Sequence, residues 1–245
     1  MISKIFVIHY TKLIERKEHM TTEINKWGLN QIGVHFEEEY DQEVITDYDV
    51  YTIINLEKFK LNCKRSPSKG EISLSIKYKN VLSKAFAFSD DEYILILEDD
   101  VIFKQDPIEY INNIIKNCKR DNINFDCVFM GEAAMRVGDD TDIFTKKENN
   151  LWPQNPASAS LSDLKKGTMT NGLCTVLYTA KAAKKLYNYL NSYKLEYPLD
   201  WHFNSMFRDL NFDVYWAKAI TEHGSVTAVH DPSKEGLKSS LRENY

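Results

Sequence analysis

Apolar residues recur along the chain in two rhythms, short continuous runs and longer stretches at helical spacing. KIFVI at 4–8 opens the chain as a short β-type run, and 15–28 follows as a polar amphipathic helix ending at Gly28. Residues 33–37 read as a second strand. Over 70–88, Leu74, Tyr78, Val81, Leu82 and Ala85 fall at helical spacing, with Gly70 near the start. YILIL at 93–97 is a continuous apolar run, the pattern of a strand buried on both faces, and it stops abruptly at three carboxylates. Asp106, Pro107 and Glu109 then make a helix start: an N-cap, a proline at the first helical position and a capping-box acid. Ile108, Ile111, Ile115 and Cys118 give that helix its apolar stripe. FDCVFM at 125–130 predicts another buried strand, and the polar stretch 132–168, with WPQNP inside it, reads as a long loop. CTVLY at 174–178 predicts a strand, followed by a helix with Ala183, Leu186, Tyr187 and Leu190 on one face. After Pro198, Leu199, Phe203, Met206, Phe207 and Leu210 are spaced i, i+4, i+7, i+8, i+11, and DVYWA at 213–217 is the last clear strand.

Strands alternating with helices predict an α/β fold with a mostly parallel central sheet and helices on both faces. In such sheets ligands bind beyond the carboxyl ends of the strands. The length suits a single domain, 1–245, with a C-terminal tail from about 226. No repeat or linker divides it. The formal net charge of −5 argues against a nucleic-acid partner, which calls for a basic face. The first apolar run is too short for a signal segment, and no stretch approaches the roughly 20 apolar residues of a membrane span. Cys63, Cys118, Cys127 and Cys174 show no CxxC spacing, so they are expected as reduced thiols of a cytoplasmic protein.

The candidate chemistry sits at Glu98-Asp99-Asp100, between YILIL and VIF. Three adjacent carboxylates repel, and the apolar flanks pull the backbone towards the core. Either full exposure in a turn or a bound cation relieves that cost. In an extended segment Glu98 and Asp100 face one side and Asp99 the other, and the i, i+2 pair suits Mg²⁺ or Mn²⁺ with diphosphate oxygens completing the shell. A solvated acidic turn is the competing reading.

Several segments in order resemble glycosyltransferase family 25, the lipooligosaccharide galactosyltransferases and their collagen-modifying relatives. IFVIHYTKLIERKEHM resembles the family's opening strand with its following arginine, here Arg16, and GEISLSIKYKNVL resembles the helix begun by Gly-Glu, here Gly70-Glu71. YILILEDDVIF is similar to the family's Leu-Glu-Asp-Asp segment and FDCVFMG to the strand after it. TNGLCTVLYTAKAAKKL resembles the segment that closes the sugar pocket, and YPLDWHFN carries the family's later aspartate as Asp200. The chain departs from the family pattern at Lys77-Tyr78, where the family has Ser-His, and at His9-Tyr10, where it has Asn-Leu.

The resemblance implies a GT-A fold and a metal-dependent transferase. Such an enzyme moves a hexose, galactose or glucose, from a UDP-sugar to a hydroxyl of a glycan or glycoprotein acceptor, with inversion. A single displacement needs a base for the acceptor hydroxyl. Asp200 is the candidate, at a helix N-terminus where the dipole favours a carboxylate, with Glu222 as the alternative. Glu98 and Asp100 are the expected metal ligands, joined by His223 in preference to His230. For the nucleotide and sugar, the candidates are His9, Tyr10, Arg16, Glu98, Asp99, Thr170, Asn171 and Gly172. The ordinary alternatives are a helix-start aspartate, a solvated basic face, core packing and a plain turn. Trp152 and Trp201 are candidates to stack on acceptor sugars or to lie in the core. A sugar nucleotidyltransferase is a second class, but HYTKLIERK lacks the glycine-rich loop it would show. An inactive carbohydrate-binding or scaffold protein is a third. The partners expected are a nucleotide-sugar donor and a glycan or glycoprotein, with peripheral membrane contact left open.

Overall fold

The computed structural model describes residues 1–131, 165–166 and 172–223. YILILE forms strand β3 (Tyr93–Glu98), buried from Tyr93 to Leu97, with Glu98 half-buried at its end. It lies inside the sheet because both faces of the run are apolar, so neither tolerates water. On one side it pairs in parallel with β1 (Ile2–Ile8), which pairs in parallel with β2 (Val34–Glu37). On the other side come β7 (Thr175–Thr179), β5 (Cys127–Gly131), β8 (Val214–His223) and β4 (Val101–Phe103), with the two-residue β6 (Lys165–Lys166) also on β8.

The sheet is mixed, where a mostly parallel one was expected. β7 runs antiparallel to both β3 and β5, and β8 is antiparallel to β4 and β6. The reason lies in the connections. β5 ends at Gly131 and β7 starts at the same sheet end, so β7 runs back alongside β5. β4 turns back at once from β3 through Asp99-Asp100 and pairs with the last strand instead of its sequence neighbour.

Helices cover both faces, as expected. Phe6, Ile8, Ile94 and Ile96 point into one core with α2 (Asp47–Ile53), α3 (Leu56–Cys63), α4 (Lys69–Lys84), α6 (Ala180–Ser192) and α7 (Leu199–Asp209). Ile5, Val7, Leu95 and Leu97 point into the other with α1 (Ile14–Lys26) and α5 (Pro107–Arg120). The alternation along β1 and β3 is the period-2 pattern of a strand sharing its residues between two cores. Each large apolar side chain buried this way contributes about 1.5–3 kcal/mol.

The caps follow the sequence in part. Asp106 Oδ1 accepts from the amides of Ile108 and Glu109, with Pro107 at the first helical position. The reciprocal capping box closes α4, through Ser68 and Glu71, and not α5. α2, α3, β4, β6 and the extension of β8 beyond Ala217 were not read from the sequence. The expected loop 132–168 and the tail from 226 lie outside the described residues, apart from β6.

All strand ends relevant to chemistry point one way. The carboxyl ends of β1, β2, β3, β5 and β8 share one edge with the amino end of β7. Gly131 closes this edge tightly: a Cβ there would lie 2.0 Å from Cys174 Sγ. Both neighbours are buried, so the clash cannot be relieved by rotation into solvent. Gly131→Ala is expected to cost about 1–3 kcal/mol by overpacking, and adding Cys174→Ala should recover part of the loss in urea denaturation.

Candidate active site

β3 ends at Glu98, and Asp99 and Asp100 form the turn into β4. The strand-like alternation expected for the triplet therefore stops at Glu98. Asp99 and Asp100 both reach Arg16, whose Nη1 lies 2.7 Å from Asp99 Oδ1 and 3.1 Å from Asp100 Oδ2. Arg16 sits in the first turn of α1, which the short segment 9–13 joins to the end of β1. At that end His9 Nδ1 is 2.7 Å from Asp99 Oδ2, and the Tyr10 amide donates to the same oxygen at 3.3 Å. Asp99 is 5 % exposed and Asp100 0 %, which rules out the solvated-turn reading.

Burial by itself would push the Asp99 carboxyl up, but the His9 hydrogen bond and the Arg16 charge outweigh it and hold it below the usual carboxylate range. Burial likewise works against the Arg16 cation, and the charges of Asp100 and Asp99 reverse the balance, raising its pKa. Arg16 Nε and His9 Nε2 are buried with no hydrogen-bond partner among the described residues. His9 is packed edge-on to Phe36 and is 1 % exposed, whereas Tyr10 is half-buried and donates its hydroxyl to Glu43.

Asp200 comes to this strand end from the other core. It occupies the first turn of α7, where its Oδ1 accepts from the Trp201 amide at 2.9 Å. Burial pushes its carboxyl up to about 6; the Trp201 amide opposes this, and the nearby charges of Glu98 and Glu71 reinforce it. Glu71 is held at the start of α4 by Arg65, with two nitrogen–oxygen contacts of 2.7 and 2.6 Å, and by the Ser68 amide at 2.8 Å. Three carboxylates from β3, α4 and α7 thus share one electrostatic neighbourhood. Trp201, beside Asp200, is 46 % exposed and is not a core residue.

The third wall comes from β7 and β8. The Glu98 amide donates to the Cys174 carbonyl at 3.0 Å, so Gly172, two residues earlier, enters at the acidic strand end. The β4–β8 register sets the backbone of His223 opposite Val101 and that of Glu222 opposite Ile102, next to the acidic turn. Thr170, Asn171, Trp152 and His230 lie outside the described residues.

Sequence reasoning missed two groups here. Glu71 entered only as part of the Gly70-Glu71 helix start that resembles the family, with no role in the site. Lys77 was given no role, yet it is 2 % exposed and donates to the His9 carbonyl and to Asp41. Its signal was a lysine four residues from both Ser73 and Val81, on the face that turns inward.

A divalent metal is implied by the resemblance, and the donor set can be tested against it. Among the described residues no three His, Cys, Asp or Glu side chains gather as a metal-binding set. Glu98 and the wholly buried Asp100 supply hard carboxylate oxygens of the type Mn²⁺ or Mg²⁺ accepts, although Asp100 is here paired with Arg16.

Arg16 is the cation on which the buried turn rests. Arg16→Gln should destabilise the protein by about 3–5 kcal/mol at neutral pH, because two carboxylates then stay buried with their main counter-charge gone. Asp99, depressed in the fold, contributes stability above its unfolded pKa that is lost as pH falls through the folded value. The gap between variant and wild type should therefore shrink below about pH 4, measured by denaturant unfolding across pH.

A comparison with curated proteins found none that matches. Among protein families, glycosyltransferase family 25 (LPS biosynthesis protein) matches residues 2–202, the span that carries β1, the acidic turn and the start of α7. The chain belongs to glycosyltransferase family 25, and it is a glycosyltransferase of the kind described for LPS biosynthesis.

Proposed function

We propose that this enzyme moves a hexose, galactose or glucose, from a UDP-sugar to a hydroxyl of a glycan or glycoprotein acceptor, with inversion. The observation that carries the reading is Asp200: a carboxyl raised by burial to about 6, in the field of Glu98 at the end of the central strand. A base with that pKa is ionised at neutral pH and still basic enough to take a proton from an attacking hydroxyl. The family's description as LPS biosynthesis protein favours the glycan over the glycoprotein as acceptor. Trp201 offers an exposed ring beside the base for a sugar face. Glu222 is the second candidate base, from the strand end opposite β4.

On the donor side, Arg16 gathers the acidic turn, and its unsatisfied Nε supports an anionic ligand such as a diphosphate. Tyr10 is the residue at the β1 end left to meet a base, since the His9 ring is enclosed by protein. Thr170, Asn171 and Gly172 would hydrogen-bond the sugar. Glu98, Asp100 and His223 would hold Mn²⁺ or Mg²⁺, which when bound neutralises charge developing on the leaving phosphate. No helix of the described residues is long and apolar enough to cross a membrane. The four cysteines are unbridged, which supports a cytoplasmic location.

A hydrolysis screen of UDP-, GDP- and CMP-sugars with and without Mn²⁺ tests the donor and the metal. UDP-sugars should be turned over, and EDTA should abolish the activity; turnover indifferent to EDTA removes the metal from the reading. Below about pH 6, kcat/KM should fall tenfold per pH unit as Asp200 takes its proton.

Asp200→Asn should bind UDP as wild type does and lose transfer by about 10²-fold or more. The same change should stabilise the fold. An aspartate whose folded pKa exceeds its unfolded value binds more protons folded, so wild-type stability falls as pH rises from about 4 to about 6. Asparagine escapes that loss, a gain on the order of 1–3 kcal/mol at pH 7. Normal transfer by Asp200→Asn would place the base elsewhere.

A further inference from the structure

Lysine is almost never fully buried unless paired, and an unpaired ammonium in the interior is costly. Lys77 projects from the middle of α4 and is 2 % exposed. Its Nζ donates to two groups, the His9 carbonyl just beyond β1 and Asp41 Oδ1 in the segment after β2. Asp41 in turn accepts from the Thr11 amide at 3.1 Å and from the Thr11 hydroxyl. One turn earlier on α4, Ser73 donates its hydroxyl to the Tyr40 carbonyl at 2.6 Å. Two side chains four residues apart on one helix face therefore grip two separate strand-end segments and tie them to each other.

Both segments lead to the acidic turn. The carbonyl held by Lys77 belongs to the residue whose imidazole is 2.7 Å from Asp99, and the next amide donates to the same carboxylate. Beyond Asp41, Glu43 accepts from the Tyr10 hydroxyl and from Lys12 at 2.7 Å, and Gln42 donates to the Tyr10 hydroxyl at 3.0 Å. A hydrophobic residue at position 77 would pack the helix but leave the Asp41 carboxylate and the His9 carbonyl without their shared donor. A buried cation there has a use that packing alone does not explain.

We propose that Lys77 is a positioning residue of the donor site: through His9 and Asp41 it holds the two strand-end segments, 9–12 and 40–43, against the acidic turn. This rests on the glycosyltransferase reading for its consequence but not for its geometry. Lys77 itself touches neither Asp99 nor any reacting atom. Its effect travels through the backbone of His9 and the side chain of Asp41.

The test uses the full chain and the variant Lys77→Met, which keeps the length and apolar stem of the side chain. Amide hydrogen exchange reads the positioning directly. The Tyr10 and Thr11 amides, bonded to Asp99 and Asp41, should exchange about tenfold faster or more, while the amides of β3 and β7 keep their wild-type rates. Asp41→Asn should reproduce the local change, and the double variant should add little to either single one, since both remove the same link. UDP affinity, measured by calorimetry, should weaken about tenfold in parallel. Exchange that is unchanged at 9–12, or accelerated equally through β3 and β7, overturns the proposal by making Lys77 either idle or a general core residue. Local release with wild-type UDP affinity also overturns it, because the segments then do not serve the donor. If the wild-type protein itself takes up no UDP, the donor reading falls, and the exchange data still decide whether Lys77 holds the strand ends.

Discussion

Two carboxylates buried side by side at the end of a central strand are the constraint around which this protein is arranged. Asp99 and Asp100 cannot both stay ionised in the interior without a cation, and Arg16 reaches both. Placing that guanidinium requires the short segment 9–13 to carry the chain from β1 into α1, and orienting Asp99 further requires the His9 imidazole at the start of that segment. The parallel pairing of β1 with β3 brings these pieces together: Ile8 lies opposite Glu98, so the two chain ends emerge side by side. A slip of one residue in that register would exchange the two cores and take His9 away from Asp99.

The opposite balance holds on the other side of Glu98. Asp99 is stabilised as an anion by its surroundings, whereas Asp200 is destabilised by burial and by the charges of Glu98 and Glu71. Environments that push neighbouring carboxyls apart in pKa separate an electrostatic anchor from a proton acceptor. The anchor contributes to folding and the acceptor detracts from it, which is the usual relation between a scaffold and the group that does chemistry on it. Family membership says the chain transfers a sugar. The base is proposed from where these charges sit.

α4 links the two halves. Its first turn presents Glu71, locked by Arg65 and Ser68, towards Asp200, and its middle presents Ser73 and Lys77 to the strand-end segments. Its apolar residues Ile72, Ile76, Val81 and Leu82 meanwhile sit in the core shared with α6 and α7. A single helix thereby carries packing on one face and two polar clamps at its margin, and the polar clamps are what departs from a plain amphipathic pattern.

Much of the element order was determined by the sequence alone, because continuous apolar runs such as YILIL and the i, i+4, i+7 stripe after Pro198 have few other ways to escape water. The acidic triplet was also legible, since charge abutting an apolar run is a local signal, whereas Asp200 entered through the family resemblance of YPLDWHFN. Strand direction was not, because a buried strand has the same composition whichever way it runs; the antiparallel course of β7 follows from which sheet edge the chain re-enters. Nor were the short β4 and the polar far end of β8, whose residues become a strand only because each supplies the other's hydrogen bonds. The roles of His9, Asp41 and Lys77 belong to the same class. Each is an unremarkable residue until the parallel register and the lie of α4 bring side chains tens of residues apart within hydrogen-bond reach, in an interior where an unpaired polar group is not tolerated.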